Sequence, residues 1–96
     1  MTETQEIPQR VVDRAIRKAT RDEAGHLISS YSVGSHGYPQ IGWSDGQGVR
    51  VMLCHRVVWI NTHGPIASGM TVDHLCKVRR CVEITHLRVL PNLQNA

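Results

Sequence analysis

Hydrophobic positions near the start of the chain recur with the period of an α-helix over residues 8–23. Apolar side chains cluster on one side of this predicted helix, at Val12, Ala15, Ile16 and Ala19. Pro8 suits the first turn of a helix, and Gly25 is a typical residue just beyond its end. The pattern therefore predicts an amphipathic helix, which we treat as a separate N-terminal segment over residues 1–25.

The polar side of this helix carries a stripe of arginines. Four of them fall within about 60° of one another on a helical wheel, namely Arg10, Arg14, Arg17 and Arg21. Such a stripe is consistent with a solvated surface, and equally with a face that binds nucleic-acid phosphates. The sequence leaves both interpretations open.

Short apolar stretches after residue 25 predict strands. Residues 26–32 and 38–43 are expected as two strands on either side of a polar, glycine-containing turn, and residues 49–53 as a third strand. Residues 54–62 are rich in β-branched side chains, which favour a strand. The Gly64–Pro65 pair that follows is a typical helix stop, so we predict a helix here.

The last quarter of the chain is expected to contain two further short strands, over residues 70–73 and 87–90. Pro91 is placed to open a final helix that would carry Asn95. Together these elements predict a small α+β fold with short antiparallel strands.

Length and composition limit the core that this chain can build. Its 96 residues correspond to one globular unit, with no Phe, two Trp and two Tyr. A core this small usually needs a disulfide or a metal. The three cysteines cannot all pair within the chain, and no signal-peptide pattern precedes them. We therefore expect an intracellular protein (cytoplasm or nucleoid) whose reduced thiols bind metal, with no membrane-spanning segment.

One cluster of residues dominates the chemistry of the sequence. It reads D-H-x-C-x4-C-x4-H-x8-N and comprises Asp73, His74, Cys76, Cys81, His86 and Asn95. Two thiols and a histidine at this spacing supply three ligands of a structural zinc site, which takes four. The remaining candidates are His26, Cys54, His55 and His63, and Cys54 is the only other thiol. Buried free cysteines are the alternative interpretation.

The same residues resemble a known family. The matching segments are Leu53–Arg56, Gly64–Ile66, Val72–Cys76, Arg80–Val82, His86–Leu87 and Asn95. They are similar to the HNH, or His-Me finger, endonucleases of the phage and homing type, close to the His-Cys box group. The likeness extends over residues 26–96, which we treat as the nuclease domain.

The resemblance implies a ββα-metal fold braced by zinc, with an extra N-terminal helix. It identifies His74 as the general base, and Asn95 with Asp73 as ligands of a catalytic Mg²⁺ or Mn²⁺ ion. It places the first zinc ligand at His26. The implied zinc set is His26, Cys76, Cys81 and His86, with Cys54 as the alternative fourth ligand.

Basic residues near the cluster are candidates for phosphate contacts. With the N-terminal stripe, the predicted DNA-binding residues are Arg56, Lys77, Arg79, Arg80, Arg88, Arg10, Arg14, Arg17 and Arg21. His55 is expected to brace the fold or to be a packed structural histidine. His36 and His63 are expected as exposed loop residues without a role.

The chain departs from the family pattern at one position. Glu83 stands where the family places an asparagine, and Ile84 where it places a proline. A carboxylate here is expected either to distort the metal loop or to act as a substitute ligand.

The sequence therefore predicts a metal-dependent DNA endonuclease with a structural Zn²⁺. The alternative is a catalytically impaired, zinc-stabilised DNA-binding module of the same fold. DNA is the expected partner, whereas base specificity, nicking versus double-strand cleavage, and monomer versus homodimer are left open.

Overall fold

A computed structural model describes residues 7–91. Its helices and strands are α1 Gln9–Arg17, β1 Ala19–Arg21, β2 Leu27–Ser29, β3 Gln40–Ser44, β4 Val49–Leu53, α2 Cys54–His63, β5 Met70–His74 and β6 Leu87–Pro91. A 3-10 turn, Ile84–His86, precedes β6. The strands pair as three antiparallel hairpins, β1–β2, β3–β4 and β5–β6. The predicted α+β class is confirmed. None of the helices in residues 7–91 could cross a membrane.

The N-terminal helix is shorter than predicted, ending at Arg17 rather than at residue 23. The residues that follow form β1, which pairs with β2 from Ala19 opposite Ser29 onward. The carboxylate of Asp22 accepts hydrogen bonds from the backbone N–H groups of Ala24 and His26, which closes the hairpin turn. Gly25 has a φ of 90° and therefore serves this turn instead of a helix end.

Two arginines of α1 lie against the backbone of β3. Arg14 donates a hydrogen bond to the carbonyl of Gly42 at 2.5 Å, and Arg10 donates one to the carbonyl of Ser44 at 3.3 Å. Since β3 pairs only with β4 among the described strands, these carbonyls belong to its open edge. Two arginines of the predicted phosphate-binding stripe therefore form hydrogen bonds to backbone carbonyls at a strand edge. Arg21 lies on β1, outside the helix.

We expect Arg14→Ala to lower the free energy of unfolding by about 1.5–3 kcal/mol, because a hydrogen bond from a charged donor to a strand edge is lost. Arg17→Ala is the matched control, since Arg17 is exposed and its side chain makes no hydrogen bond or ion pair within the described residues. Urea unfolding of the zinc-loaded proteins measures both effects. Equal stabilities of the two variants would mean that the edge contact contributes nothing.

The two predicted strands around the polar turn do not pair with each other. Strand β2 pairs with β1, and β3 pairs with β4. A single bridge between Val33 and Pro39 joins the two sides of the turn. The extended segments themselves agree with the prediction. The pairing of β2 could not be predicted, because its partner β1 consists of residues that the sequence predicts as helix.

Helix α2 is confirmed, and it ends as predicted at Gly64. Gly64 has a φ of 89° and donates its N–H to the carbonyl of Ile60 at 2.8 Å. One core cluster joins the two helices through Val11, Val12, Ala15, Val57 and Val58. A second cluster contains Ile60, Ile66, Val72 and Leu87. Helix α2 contributes to both clusters and so fixes β5 and β6 relative to α1.

The β5–β6 hairpin carries the chemistry-bearing residues. Its register places Asp73 opposite Arg88 and His74 opposite Leu87. Both predicted strands are confirmed, and the loop over residues 75–86 between them contains the two cysteines and His86. Pro91 is the last residue of β6. The rest of the predicted final helix, including Asn95, lies outside the described residues.

Candidate metal centre and active site

Thiols and imidazoles converge beside the loop between β5 and β6. The ligand atoms of His26, Cys76 and His86 all lie within 4.8 Å of one another. The sulfur of Cys81 lies 3.5 Å from Nδ1 of His86, and its side chain also interacts with that of Cys76. The hairpin β1–β2 and the β5–β6 loop thus bring three donors into one group, and the thiol of Cys81 lies beside two of them, Cys76 and His86.

The donor set suits a zinc ion. With bond lengths of about 2.0–2.3 Å, a tetrahedral zinc separates its donors by roughly 3.3–3.8 Å. The distance from the Cys81 sulfur to Nδ1 of His86 falls in that range. The ligand atoms of His26, Cys76 and His86, which lie up to 4.8 Å apart, would have to move about 1 Å closer to bind one zinc ion. Burial, together with the neighbouring thiol of Cys76, raises the pKa of the Cys81 thiol. A bound metal cation would instead lower the pKa of this thiol, because metals bind the thiolate form.

His26 is oriented by a neighbouring carboxylate. Its Nδ1 lies 3.1 Å from the carboxylate of Asp22, in the same turn of the β1–β2 hairpin. This contact leaves Nε2 as the nitrogen for a metal. Metal-binding histidines commonly use their second nitrogen in this way. Sequence reasoning missed Asp22, although a carboxylate four residues before a candidate ligand was a signal.

The alternative fourth ligand, Cys54, lies elsewhere. It begins α2 and is fully buried in the core cluster with Val57 and Val58. The hydroxyl of Ser29 approaches its sulfur at 3.9 Å, and burial raises the pKa of the thiol to about 11. A thiol in these apolar surroundings stays protonated and behaves as a small core residue.

His74 ends β5 and is held from its Nε2 side. This nitrogen lies 2.9 Å from the carbonyl oxygen of Cys81. A carbonyl can only accept, so Nε2 carries the proton and Nδ1 keeps the lone pair in the neutral ring. Burial lowers the pKa of His74, which favours that neutral form. The loop that contains Cys76 and Cys81 therefore also fixes the tautomer of the candidate base.

Two further rings pack on His74. Tyr38 stacks with its ring centroid 5.6 Å away at an interplanar angle of 16°. The ring of His55 lies 4.6 Å from that of His74. Burial, followed by the proximity of His74, lowers the pKa of His55 to about 3, so His55 is a neutral packing residue. Both of its predicted roles, bracing and packing, describe this position.

A pocket of about 240 Å³ opens over this cluster, lined by Tyr38, Asp73, His74, Lys77 and Arg79. The carboxylate of Asp73 accepts a hydrogen bond from Nε of Arg88 at 3.0 Å. Lys77 adopts a left-handed backbone conformation, with a φ of 62°, and its N–H bonds to the carbonyl of His74. The pocket therefore combines one carboxylate, one imidazole and two cations.

The predicted DNA-binding residues have different surroundings. Lys77 and Arg79 line the pocket, Arg80 is exposed, and Arg88 pairs with Asp73. Arg56 is partly buried on α2, and burial lowers its pKa. The residues assigned to the N-terminal stripe are divided between strand-edge contacts, solvent and the contact with Glu83 described next: Arg10, Arg14, Arg17 and Arg21.

Glu83 is held by contacts outside the pocket. One carboxylate oxygen lies 2.5 Å from the Arg21 guanidinium, and the other accepts hydrogen bonds from the backbone and hydroxyl of Thr85. The hydrogen bond from Arg21 is the main reason that the pKa of Glu83 is lowered. Neither predicted role, distortion or metal binding, describes these contacts. The pair instead ties β1 to the start of the 3-10 turn.

The two histidines without a predicted role differ from each other. His36 is an exposed loop residue, as expected, but its backbone carbonyl accepts a hydrogen bond from Arg79 at 2.7 Å. His63 is the last residue of α2 rather than a loop residue, and its ring lies 4.1 Å from that of Trp59. Nothing in the sequence indicates the contact between His36 and Arg79.

Parts of the chain are similar to known proteins. Residues 52–96 match the family model of the HNH endonucleases. The chain is 43% identical over 39 residues to the uncharacterized gene 5.3 protein of Enterobacteria phage T3, and 36% identical over 55 residues to protein 7.7 of Escherichia phage T7. These matches cover 41% and 57% of this chain, and 39% of each relative's length.

The fold is similar to that of a solved homing endonuclease. That structure, described as DNA binding and cleavage by the HNH homing endonuclease I-HmuI, matches with a TM-score of 0.60 at 23% identity. The match covers 81% of this chain and 45% of the other chain. At this identity the likeness concerns the fold. It includes much of the chain that precedes the residues matched by the family model.

Proposed function

We propose that this chain, whose residues 52–96 match the family model of the HNH endonucleases, is a metal-dependent DNA endonuclease. The observation that carries this proposal is the setting of His74, whose Nε2 is occupied by the carbonyl of Cys81 while the ring borders a pocket with Asp73. This arrangement leaves one basic nitrogen beside a site that contains both a carboxylate and cations.

The chemistry proposed for His74 is proton removal from water. Its Nδ1 takes a proton while the water oxygen forms a bond to phosphorus and the bond from phosphorus to the 3′ oxygen breaks. The leaving oxygen then takes a proton from solvent. The hydrogen bond to Cys81 stabilises the imidazolium that forms, because Nε2 continues to donate to the carbonyl.

Asp73 and Asn95 are the proposed ligands of the catalytic Mg²⁺ or Mn²⁺. A carboxylate and an amide are hard oxygen ligands, which suit a Mg²⁺ ion that keeps several waters. Asp73 fits this role because it lines the pocket beside His74, whereas Asn95 lies outside the described residues. When bound, the ion would stabilise charge on the phosphate and the leaving oxygen.

We also propose that a structural Zn²⁺ binds His26, Cys76, Cys81 and His86. The support is the convergence of their ligand atoms and the orientation of His26 by Asp22. Zinc here would brace the loop whose Cys81 carbonyl holds His74. The two metals would therefore have separate roles, one in folding and one in catalysis.

The direct test is nicking of supercoiled plasmid by the zinc-loaded protein, freed of other divalent ions. We expect no nicking until Mg²⁺ or Mn²⁺ is added, because Asp73 and His74 require the ion at the phosphate. DNA binding, measured in parallel without Mg²⁺, is expected to weaken steeply with salt.

Salt-sensitive binding without nicking at any Mg²⁺ or Mn²⁺ concentration would favour the alternative, a DNA-binding module of the same fold. Glu83, which stands where the family places an asparagine, is a sequence feature that favours this alternative. Its contacts with Arg21 and Thr85 provide another explanation for the carboxylate. Absence of both binding and nicking would contradict each proposal.

A further inference from the structure

Arg79 is held more firmly than its neighbours by contacts from the loop that precedes β3. Its Nη1 donates a hydrogen bond to the carbonyl of His36 at 2.7 Å. Its guanidinium carbon lies 5.4 Å from the centroid of the Tyr38 ring, within the range of a cation–π contact. Residues 36–38 therefore fix an arginine that lies 43 positions away in the sequence.

Gly37 permits this close approach. A Cβ atom at Gly37 would lie 3.2 Å from Nη1 and 3.4 Å from Cδ of Arg79. The residue also has a φ of 81°, which favours glycine. The loop thus accommodates the Arg79 side chain in two ways. The carbonyl of His36 accepts its hydrogen bond, and Gly37 has no side chain that would crowd it.

The held arginine lies on the same pocket as His74. Both line the cavity, and Tyr38 contacts both, by stacking on His74 and by lying under Arg79. The pocket volume of about 240 Å³ is below the ~300–1,000 Å³ of a typical drug-sized site. A small anionic group is a better match for two cations in this space than an extended ligand.

We infer that Arg79 binds a non-bridging oxygen of the scissile phosphate, with Lys77 as a second cation on the same group. This inference rests on the proposed nuclease function and names one residue for the substrate phosphate within the larger basic set. One N–H of the guanidinium is used by His36, and up to four remain for a phosphate. A guanidinium fixed beside the phosphate oxygens, where negative charge develops, stabilises the transition state as well as the bound substrate.

The test compares Arg79→Ala, Arg79→Lys and Arg50→Ala in single-turnover nicking and in DNA binding. Arg50 is the matched control, because it is an exposed arginine on β4 that pairs with Asp45, lies outside the predicted DNA-binding residues and does not line the pocket. We expect Arg79→Ala to lower the nicking rate about 100-fold with less than about threefold weaker binding. Arg79→Lys should recover only part of the rate, since lysine lacks the planar fork. Arg50→Ala should retain the rate.

A second readout does not depend on cleavage. The Nε–H resonance of Arg79 in the zinc-loaded protein, without Mg²⁺, is expected to shift on titration with the dinucleotide dTpdT. If wild-type protein fails to nick but this shift occurs, the phosphate site is supported and the nuclease proposal fails. Equal rate losses for Arg79→Ala and Arg50→Ala, or a rate loss for Arg79→Ala fully matched by lost affinity, would overturn the inference.

Discussion

His74→Ala is expected to reduce the single-turnover nicking rate by about 10²–10⁴-fold, the range for removal of a general base. The physical reason is that the variant retains the pocket cations but has no nitrogen to accept the proton of water. DNA affinity is expected to change little, because the imidazole is buried and neutral whereas Lys77 and Arg79 supply the charge at the pocket.

His63→Ala is the control for this experiment. His63 is an exposed histidine at the end of α2, where its ring packs on Trp59 rather than on the pocket. The nicking rate of the His63→Ala variant should equal that of the wild type. If His74→Ala nicks at the wild-type rate with the same zinc content, the role of His74 as the base is excluded.

Cys81→Ser is expected to abolish high-affinity zinc binding and cooperative unfolding. A structural zinc contributes about 10–16 kcal/mol in zinc-finger peptides, more than the net stability of a small domain. Cys81 is buried, with its sulfur beside His86, so loss of this donor leaves the site incomplete and the loop unbraced. Zinc content per chain and thermal unfolding measure the two effects.

Cys54→Ala provides the comparison of one buried cysteine with another. Cys54 contacts Ser29 in the core and lies outside the group of converging donors. We expect this variant to keep one zinc per chain and to lose about 1 kcal/mol of stability, the cost of a small core deletion. Loss of zinc in Cys54→Ala with retention in Cys81→Ser would reverse the proposed ligand set.

The sequence predicted the second half of the fold well. Strand β4, helix α2 and the β5–β6 hairpin have strong local signals, such as the Gly64 stop, and the two strands of the hairpin follow each other in the chain. The tautomer of His74 was predictable only in part. A neutral histidine base needs a hydrogen-bond acceptor at its second nitrogen, but nothing in the sequence identifies the carbonyl of Cys81 as that acceptor.

The first half was predicted less well because its structure depends on distant partners. Ala19–Arg21 continues the helical pattern of α1, yet it forms a strand because β2 is available to pair with it and Asp22 closes the turn. The contact of Arg21 with Glu83 spans 62 positions, and that of Arg14 with Gly42 spans 28. The periodicity of hydrophobic residues predicts which side chains share one face of a helix or strand, but it does not predict which element packs against that face.

The position of His26 sets a limit on how this fold can be divided. The match to the family model begins at residue 52, whereas the proposed zinc donor His26 lies in the earlier β1–β2 hairpin, and α1 shares its core with α2. A transplanted segment containing only residues 52–96 would carry three of the four proposed zinc donors and would lack the packing of α1 on α2. A transplant that keeps the proposed zinc site and the core therefore has to be larger than the stretch that matches the family model.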